Sequence, residues 1–369
     1  FDVLDGLEEF WEASRLFDLK GCVGIESRVF VPEFSDREIN SPGEPGISYH
    51  MGTGFTTTAI PAKAQAFLDN MRSTSAQRNQ AMVTRVNDFL SPLVLNYDED
   101  VLPLTPNGNA TERHLCLAYA RKAASMFPEE SDLRKFWSQK LGVSQDDIKD
   151  LPEGRPITDL IRANTMKQGG VGYVKPDSGS FPKMAEMNEF VLLCGAIPTF
   201  TWLDGCSVGE QSIEELVEVG RSTGVAAFNI IPDRNYTPGQ SDQKLENLNQ
   251  VIQLTKDLGL PLLGGTEMNS PGQKFVDDFA SPELAPHQAV FLRGSWILHA
   301  HSTLQRYAGM GYLSEWAKNQ FPDISAKNEF YASFGENFSP RGDDQLRDSL
   351  DSEMGPKEVI DLMTWVMAA

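Results

Sequence analysis

The sequence predicts an α/β protein built on a TIM-like parallel βα barrel with a mainly helical insertion. Short apolar runs flanked by glycine or proline recur along the chain. Such runs are too short for helices, so they favour strands. Between residues 184 and 269, amphipathic helical segments and apolar runs alternate about every 30 residues, which is typical of parallel βα architecture.

The first predicted βα units occupy residues 1–60. Residues 4–19 place their apolar side chains near one helical face. Two short strands follow, CVGIE at 22–26 and ISYHMG at 47–52, with a loop rich in proline and glycine before the second. These elements would form the start of the barrel.

Residues 61–180 form the predicted helical insertion. Residues 62–90 make one long amphipathic stretch, and the segment 109–112 (NATE) opens another helix with a capping-box pattern. The insertion ends in the glycine-rich segment 169–180. A lid over the site and a dimer surface both suit such an insertion, so a homo-oligomer is one expectation for partners.

The barrel resumes over residues 181–310, and residues 311–369 are predicted to be helices that pack on it. Glycines follow the helical segments and precede the apolar runs, which is how a βα unit is punctuated. Four more strands are predicted here, within residues 196–205, 225–235, 260–269 and 295–300.

Charge and cysteine content exclude several function classes. The 369 residues include 32 Lys and Arg against 52 Asp and Glu, a formal charge of −20. Nucleic acids and anionic lipid both need clustered basic residues, so neither partner is expected. The longest apolar stretch, residues 190–203, is too short and too broken to span a bilayer. The four cysteines form no C-x-x-C pair and lie in or beside apolar segments, which predicts free thiols in a cytoplasmic protein.

Polar residues end the predicted strands, and this pattern locates the candidate site. In a parallel βα barrel the carboxyl ends of all strands meet at one mouth, where ligand-binding and reacting residues lie. Polar residues are also expected wherever a strand ends, but six such ends together favour a functional mouth. In chain order the residues are Glu26, His50, Asp204, the group Asp233-Arg234-Asn235, Glu267 with Asn269, and His299 with His301.

The mixture of carboxylates and imidazoles predicts a divalent metal, because oxygen and nitrogen donors together suit Zn, Mn or Fe. The metal would lower the pKa of its bound water and clamp an anionic substrate. On a strand, His299 and His301 would lie on one face and could share the ion, whereas in the alternative one of them caps a following helix. His50 could instead be a satisfied core histidine. The candidate ligands are Glu26, His50, Glu267 and His301.

Arg234 is the candidate for holding a small anionic substrate, because a guanidinium binds phosphate or carboxylate in bidentate fashion. An ion pair with Asp233 that holds the turn is the structural alternative. Asp204 and Asp233 are the candidate catalytic bases, with Arg234 beside them. Asn235 and Asn269 are the candidate substrate-binding amides.

The run from Phe1 to Gly52, with GIESRVF followed by ISYHMG, resembles part of the PHP-type (polymerase and histidinol phosphatase) metal-dependent phosphoesterases. That resemblance implies a distorted barrel of about seven strands with a cluster of divalent ions. Glu26 and His50 would match a strand-end Glu and His among its ligands. In GGTEMN, Glu267 would stand for a ligand Asp and Asn269 for a ligand His. The family's opening H-x-H strand would precede Phe1.

The predicted function is therefore a metal-dependent hydrolase, first of all a phosphoesterase, acting on a small anionic substrate. One alternative is a metal-assisted isomerase, lyase or aldolase that acts on a sugar acid in the same mouth. Another metal-dependent βα-barrel family, such as the amidohydrolases, also fits the residues. A non-catalytic relative that binds a small anion is the third alternative.

Overall fold

A computed structural model of the chain describes residues 4–105, 108–173, 181–235, 242–268 and 272–368. The chain divides into two compact units, residues 1–67 with 181–369, and residues 68–180. The strands are β1 (Val23–Phe30), β2 (Ile47–Phe55), β3 (Ile197–Trp202), β4 (Ala227–Ile230) and β5 (Leu262–Gly264). The helices are α1 (Leu7–Leu16), α2 (Ala62–Leu90), α3 (Glu112–Met126), α4 (Glu130–Leu141), α5 (Arg155–Thr165), α6 (Met184–Leu193), α7 (Val208–Gln211), α8 (Ile213–Ser222), α9 (Pro232–Asn235), α10 (Asp242–Asp257), α11 (Gln288–Ala308), α12 (Glu315–Gln320), α13 (Ile324–Asn337), α14 (Asp343–Ser349) and α15 (Pro356–Ala368).

The described part of the first unit contains one five-stranded sheet, whose strands are neighbours in chain order. The α/β class is thus confirmed. The β3–β4 and β4–β5 pairings are parallel, as βα units require. The β1–β2 and β2–β3 pairings are antiparallel, so β2 runs against the other four strands.

This mixed sheet differs from the predicted barrel of about seven parallel strands, since the described residues form five. The connection from β1 to β2, residues 31–46, contains one short 3-10 turn and no α-helix. A parallel pair is usually joined through a crossover helix, whereas an antiparallel pair needs none. The length and apolar character of a run predict that a strand exists, but they do not indicate its direction.

The strand predicted at residues 295–300 is instead the middle of α11. Its apolar run is continuous with buried residues at helical spacing on both sides, including Phe291, Gly294, Ile297 and Leu304. Gly294 allows the helix to approach the sheet, because a Cβ there would lie 2.0 Å from the carbonyl oxygen of Leu262 in β5. Residues 295–300 resemble a strand only when they are considered without the helical pattern of the residues on either side.

Helices lie on both faces of the sheet. α6 packs against β1, β2 and β3, and α11 packs against β2 and β5. Successive strand residues point to opposite faces. Phe200 is paired with His50 in β2 and Phe228 in β4, so the three rings lie on one face and contact one another through Phe200. On the other face, Ile197 and Ala227 join a buried apolar core with residues of α11, α13 and α15.

The second unit is helical, and residues 68–105 and 108–173 contain no strand. Its apolar core includes the fully buried Trp137 and Tyr119. The capping box predicted at residues 109–112 lies two residues later, because Thr111 caps α3 and the third helical residue is His114. The backbone N–H of Thr111 donates to Nδ1 of His114 at 3.1 Å. An imidazole thus takes the place that the sequence pattern assigned to a carboxylate.

In the part of the chain that the structure describes, no helix combines the length and the apolar character needed to cross a membrane.

Candidate functional site

The loops that follow β3, β4 and β5 meet at one edge of the sheet, because the carboxyl ends of parallel strands lie together. Nδ2 of Asn235 donates to the carbonyl oxygen of Leu203 at 2.7 Å, and the N–H of Gly265 donates to that of Ile230 at 3.0 Å. These bonds tie the three loops to one another. The strand-end cluster is the set Asp204, Asp233, Arg234, Asn235, Lys244, Glu267, Lys274 and Asp277.

Three ion pairs cross this cluster. Lys244 lies 2.9 Å from Asp204, and Lys274 lies 2.9 Å from Asp233. Arg234 pairs with Glu267 at 3.1 Å, rather than with Asp233 as the structural alternative expected. All three pairs are partly exposed, and such pairs contribute at most about 1 kcal/mol to stability. They can therefore rearrange at little cost when a charged ligand arrives.

The turn after β3 is stabilised by an internal carboxylate. Glu210 is 3 % exposed, and its oxygens accept the backbone N–H groups of Leu203, Asp204 and Gly205 at 2.8, 3.1 and 2.9 Å. Burial raises the pKa of Glu210, and these three bonds act in the opposite direction. The N–H groups at this strand end are thus occupied, and an anionic ligand must be held by side chains instead.

Asp204 is held in its ionised form beside this turn. Burial of the carboxyl opposes ionisation, but hydrogen bonds from Lys244 and from the backbone N–H of Cys206 outweigh it and lower the pKa of Asp204. Its carboxylate is therefore charged at neutral pH and fixes the position of the Lys244 ammonium.

Asp277 belongs to the cluster, although sequence reasoning missed it. It is 3 % exposed, and among the described residues neither carboxyl oxygen has a hydrogen-bond partner of ordinary geometry. Its backbone N–H donates to Oγ1 of Thr266 at 2.9 Å, which fixes residue 277 beside β5. Burial, and next the charge of Asp233, raise the pKa of Asp277, and a hydrogen bond with the Asp233 carboxylate adds to the rise. The Thr266 hydroxyl and the Lys274 charge act in the opposite direction. The only sequence signal is an acidic pair, Asp277-Asp278, between the apolar Val276 and Phe279.

Asn235 presents an acceptor to the same edge. The residue is 1 % exposed, and its Nδ2 is used by the carbonyl oxygens of Leu203 and Ile231. Its Oδ1 is buried and has no partner among the residues that the structure describes. That oxygen can accept a hydrogen bond from a ligand hydroxyl. Asn269, the second predicted amide, lies outside the described residues.

Glu26 and His50 do not join the cluster. β1 continues to Phe30, so Glu26 lies in mid-strand opposite Met51, with an exposed side chain. His50 also lies in mid-strand and is fully buried, with Nε2 2.6 Å from Oδ1 of Asn188. Burial lowers the pKa of His50 to about 4, so it is a neutral core histidine. The continuous apolar run stops at Glu26, and this predicts a strand end there. The strand in fact continues through ESRVF, where buried and more exposed residues alternate.

His301 is also buried, and both of its ring nitrogens are engaged. Nδ1 accepts the backbone N–H of Tyr312 at 2.9 Å, so Nε2 carries the proton and donates to the carbonyl oxygen of Gly54 at 3.1 Å. Burial lowers the pKa of His301 to about 4. His299 and His301 lie on a helix, where residues two apart do not face each other, so the pair cannot act as a strand H-x-H motif.

Among the described residues, the four candidate ligands do not come together to form the expected metal site. Of the four candidate ligands only Glu267 lies in the strand-end cluster, and it is engaged with Arg234. Across the described ranges, no three His, Cys, Asp or Glu side chains form a group that could hold a metal ion. The predicted ligand set is separated by the direction of β2 and by the helical state of residues 295–301.

Comparisons with known proteins give a distant likeness only. No family model matches the chain, and no curated protein matches it significantly. An amidohydrolase structure from Chromobacterium violaceum, with bound sulfate and no metal, is 15 % identical with a TM-score of 0.44, covering 77 % of this chain and 82 % of that one. A presumed metal-dependent phosphoesterase from Bifidobacterium adolescentis is 14 % identical with a TM-score of 0.41, at the same coverages. At such TM-scores the likeness says nothing about the reaction.

Proposed function

We propose that the strand-end cluster is the active site of a hydrolase that acts on small anionic substrates. The observation that supports this proposal most directly concerns Asp277. It is a buried carboxyl that has no hydrogen-bond partner of ordinary geometry in the described chain, and it lies beside Asp233, which is paired with Lys274. Asp277 keeps its proton to higher pH than an ordinary aspartate, whereas Asp233 is paired with the Lys274 ammonium. Two carboxyls in such different surroundings suit general acid and general base roles.

In this proposal Asp233 accepts a proton from the attacking water, and Asp277 donates its proton to the leaving oxygen of an ester or the leaving nitrogen of an amide. The water oxygen forms a bond to the phosphorus of a phosphoester or the carbonyl carbon of an amide, and the bond from that atom to the leaving oxygen or nitrogen breaks. Asp277 regains a proton, and Asp233 loses one, when products leave. Each step uses only groups of this chain.

The substrate is held by the cations of the cluster. Arg234 can exchange Glu267 for a phosphate or carboxylate, because bidentate, charge-assisted hydrogen bonds are stronger than a partly exposed ion pair. Lys244, fixed by Asp204, adds a second positive charge, and Oδ1 of Asn235 accepts from a substrate hydroxyl. A phosphate ester suits two or three cations best, so phosphoesters are the first class to test, and small anionic amides the second.

The test is turnover of a panel of phosphomonoesters, phosphodiesters and anionic amides by the purified chain, in water enriched with ¹⁸O. We expect a hydrolysed product that carries solvent oxygen. Asp277→Asn and Asp233→Asn should each lower kcat/KM by about 100-fold or more, the usual contribution of a general acid or base. Asp257→Asn, an exposed residue of α10, is the matched control and should stay within about twofold.

Other outcomes identify the alternatives. Conversion without solvent oxygen in the product would indicate an isomerase, lyase or aldolase. Binding of small anions that depends on Arg234, without turnover of any panel member, would indicate a non-catalytic binding protein. Full turnover by Asp277→Asn would contradict the proposed acid.

A further inference from the structure

A polar cleft lies in the first unit and shares no residue with the strand-end cluster. Its volume is about 610 Å³, and α1, the end of α11 and α14 supply its walls. A narrow adjoining cavity of about 10 Å³, the size of one water molecule, shares Trp11, Arg306 and Asp343 with the cleft and is also lined by His299. The side chains that matter below are Trp11, Arg15, Arg306, Asp343 and Arg347, with His299 in the narrow cavity.

Arg306 is the least neutralised of the three arginines in the cleft. Arg15 and Arg347 share Asp344 at 3.2 and 3.0 Å. The nearest carboxylate to Arg306 is Glu8, at 3.8 Å. The Arg306 guanidinium lies over the Trp11 ring at 4.8 Å, which holds it in place without neutralising it.

Asp343 is the carboxylate of the cleft that is least neutralised by nearby cations. It is 8 % exposed, and within the described ranges it makes no ion pair shorter than 4 Å, although the charges of Arg306 and Arg15 act on it. Burial raises its pKa, and a hydrogen bond with Tyr307 opposes that shift. The cleft therefore holds one cation whose salt bridge is long, at 3.8 Å, and one carboxylate that makes no salt bridge within 4 Å among the described residues.

Two buried polar groups in residues that line the narrow cavity support a missing ligand. His299 is 2 % exposed, and in the described chain neither ring nitrogen has a hydrogen-bond partner of ordinary geometry. Burial, together with the Lys20 charge, lowers its pKa to about 3 against a weak interaction with the backbone of Phe338. The neutral ring offers one donor and one acceptor. Nε1 of Trp11, also buried, is likewise a donor without a partner. Buried polar groups are rarely left without partners, so these point to a ligand or water.

We infer that this cleft binds a small zwitterion of the α-amino-acid class. The ligand carboxylate lies against the Arg306 guanidinium and the Trp11 indole N–H, and the ligand ammonium lies against Asp343 and the acceptor nitrogen of His299. A purely anionic ligand would meet Asp343, and a purely cationic one would meet Arg306. The volume lies in the range of small-molecule sites and leaves room for a side chain.

The test is isothermal titration calorimetry of the full chain with the common L-amino acids, and then with the N-acetyl and amide derivatives of any that bind. Each derivative lacks one of the two charges. We expect at least one free amino acid to bind, and each derivative to bind about tenfold more weakly, as loss of a charged hydrogen bond requires. Binding of none, equal binding of a derivative, or tighter binding of inorganic phosphate or succinate would overturn the inference.

Variants locate the binding within the cleft. Arg306→Gln and Asp343→Asn should each weaken the best amino acid about tenfold, and His299→Phe should also weaken it. Arg293→Gln is the matched control, since Arg293 lies on the same helix in an exposed pair with Glu329. If Arg306→Gln or Asp343→Asn binds the best amino acid with unchanged affinity, the ligand does not bind in this cleft. The derivative series uses the natural sequence, so it decides the question even when a variant folds poorly.

Discussion

Replacing Asp277 with Asn should stabilise the protein at pH 8 while removing the proposed activity. The natural carboxyl is 3 % exposed and has no hydrogen-bond partner of ordinary geometry in the described chain. A buried polar group without a partner costs about 1–3 kcal/mol, and more when it is charged. The isosteric amide carries no charge and can donate to the neighbouring Asp233. We therefore expect a gain of about 1–2 kcal/mol in the free energy of unfolding at pH 8.

The gain should depend on pH in one direction. Below its ordinary pKa of 3.8, Asp277 is protonated in the folded and the unfolded chain alike, so its burial carries no charge penalty. As the pH rises above that value the unfolded chain ionises first, because the folded pKa is raised, and the natural protein loses stability. The advantage of Asp277→Asn thus appears above pH 4 and is complete once the raised pKa is passed.

The assay is urea unfolding of the natural chain and of Asp277→Asn at pH 4 and pH 8. Asp278→Asn, at the exposed neighbouring carboxylate, is the control and should change the free energy of unfolding by less than about 0.5 kcal/mol. A variant that is less stable at pH 8, or that gains equally at both pH values, would refute the reasoning about Asp277.

Three further predictions concern residues around the sheet. Glu210→Gln should cost about 1–3 kcal/mol in urea unfolding, because an amide cannot accept all three N–H groups after β3, whereas the exposed Glu214→Gln should be neutral. Glu26→Gln should leave both metal content by elemental analysis and kcat/KM within about twofold, since its exposed side chain lies in mid-strand; loss of bound metal would restore its predicted ligand role. For His301, whose pKa falls from 6.5 to about 4 on folding, stability is present above pH 6.5 and is lost as the pH falls toward 4, by up to about 1.4 kcal/mol per pH unit. His50 and His299 have lowered pKa values too, so His301→Gln should reduce the slope by the His301 share and leave theirs. An unchanged slope between pH 6.5 and 4.5 would contradict the assignment to His301.

Local pattern was sufficient for the part of the site that follows parallel strands. The runs at 196–205, 225–235 and 260–269 each contain a strand, and Asp204, Arg234 and Glu267 follow the ends of those strands. Their meeting follows from a rule about parallel strands that needs no tertiary information beyond direction. The same rule failed for His50, because β2 runs the opposite way and its carboxyl end lies at the other edge of the sheet.

By itself, the sequence determined the α/β class, because the period and length of apolar runs depend on neighbouring residues only. Tertiary structure alone decided the rest. The direction of β2 depends on hydrogen bonds with two other strands, and the helical state of residues 295–301 depends on packing of α11 against β5. Asp277 enters the cluster through a hydrogen bond between its backbone and Thr266. The charge state of a carboxyl follows from its burial and its neighbours, and neither is a property of the residue's place in the chain.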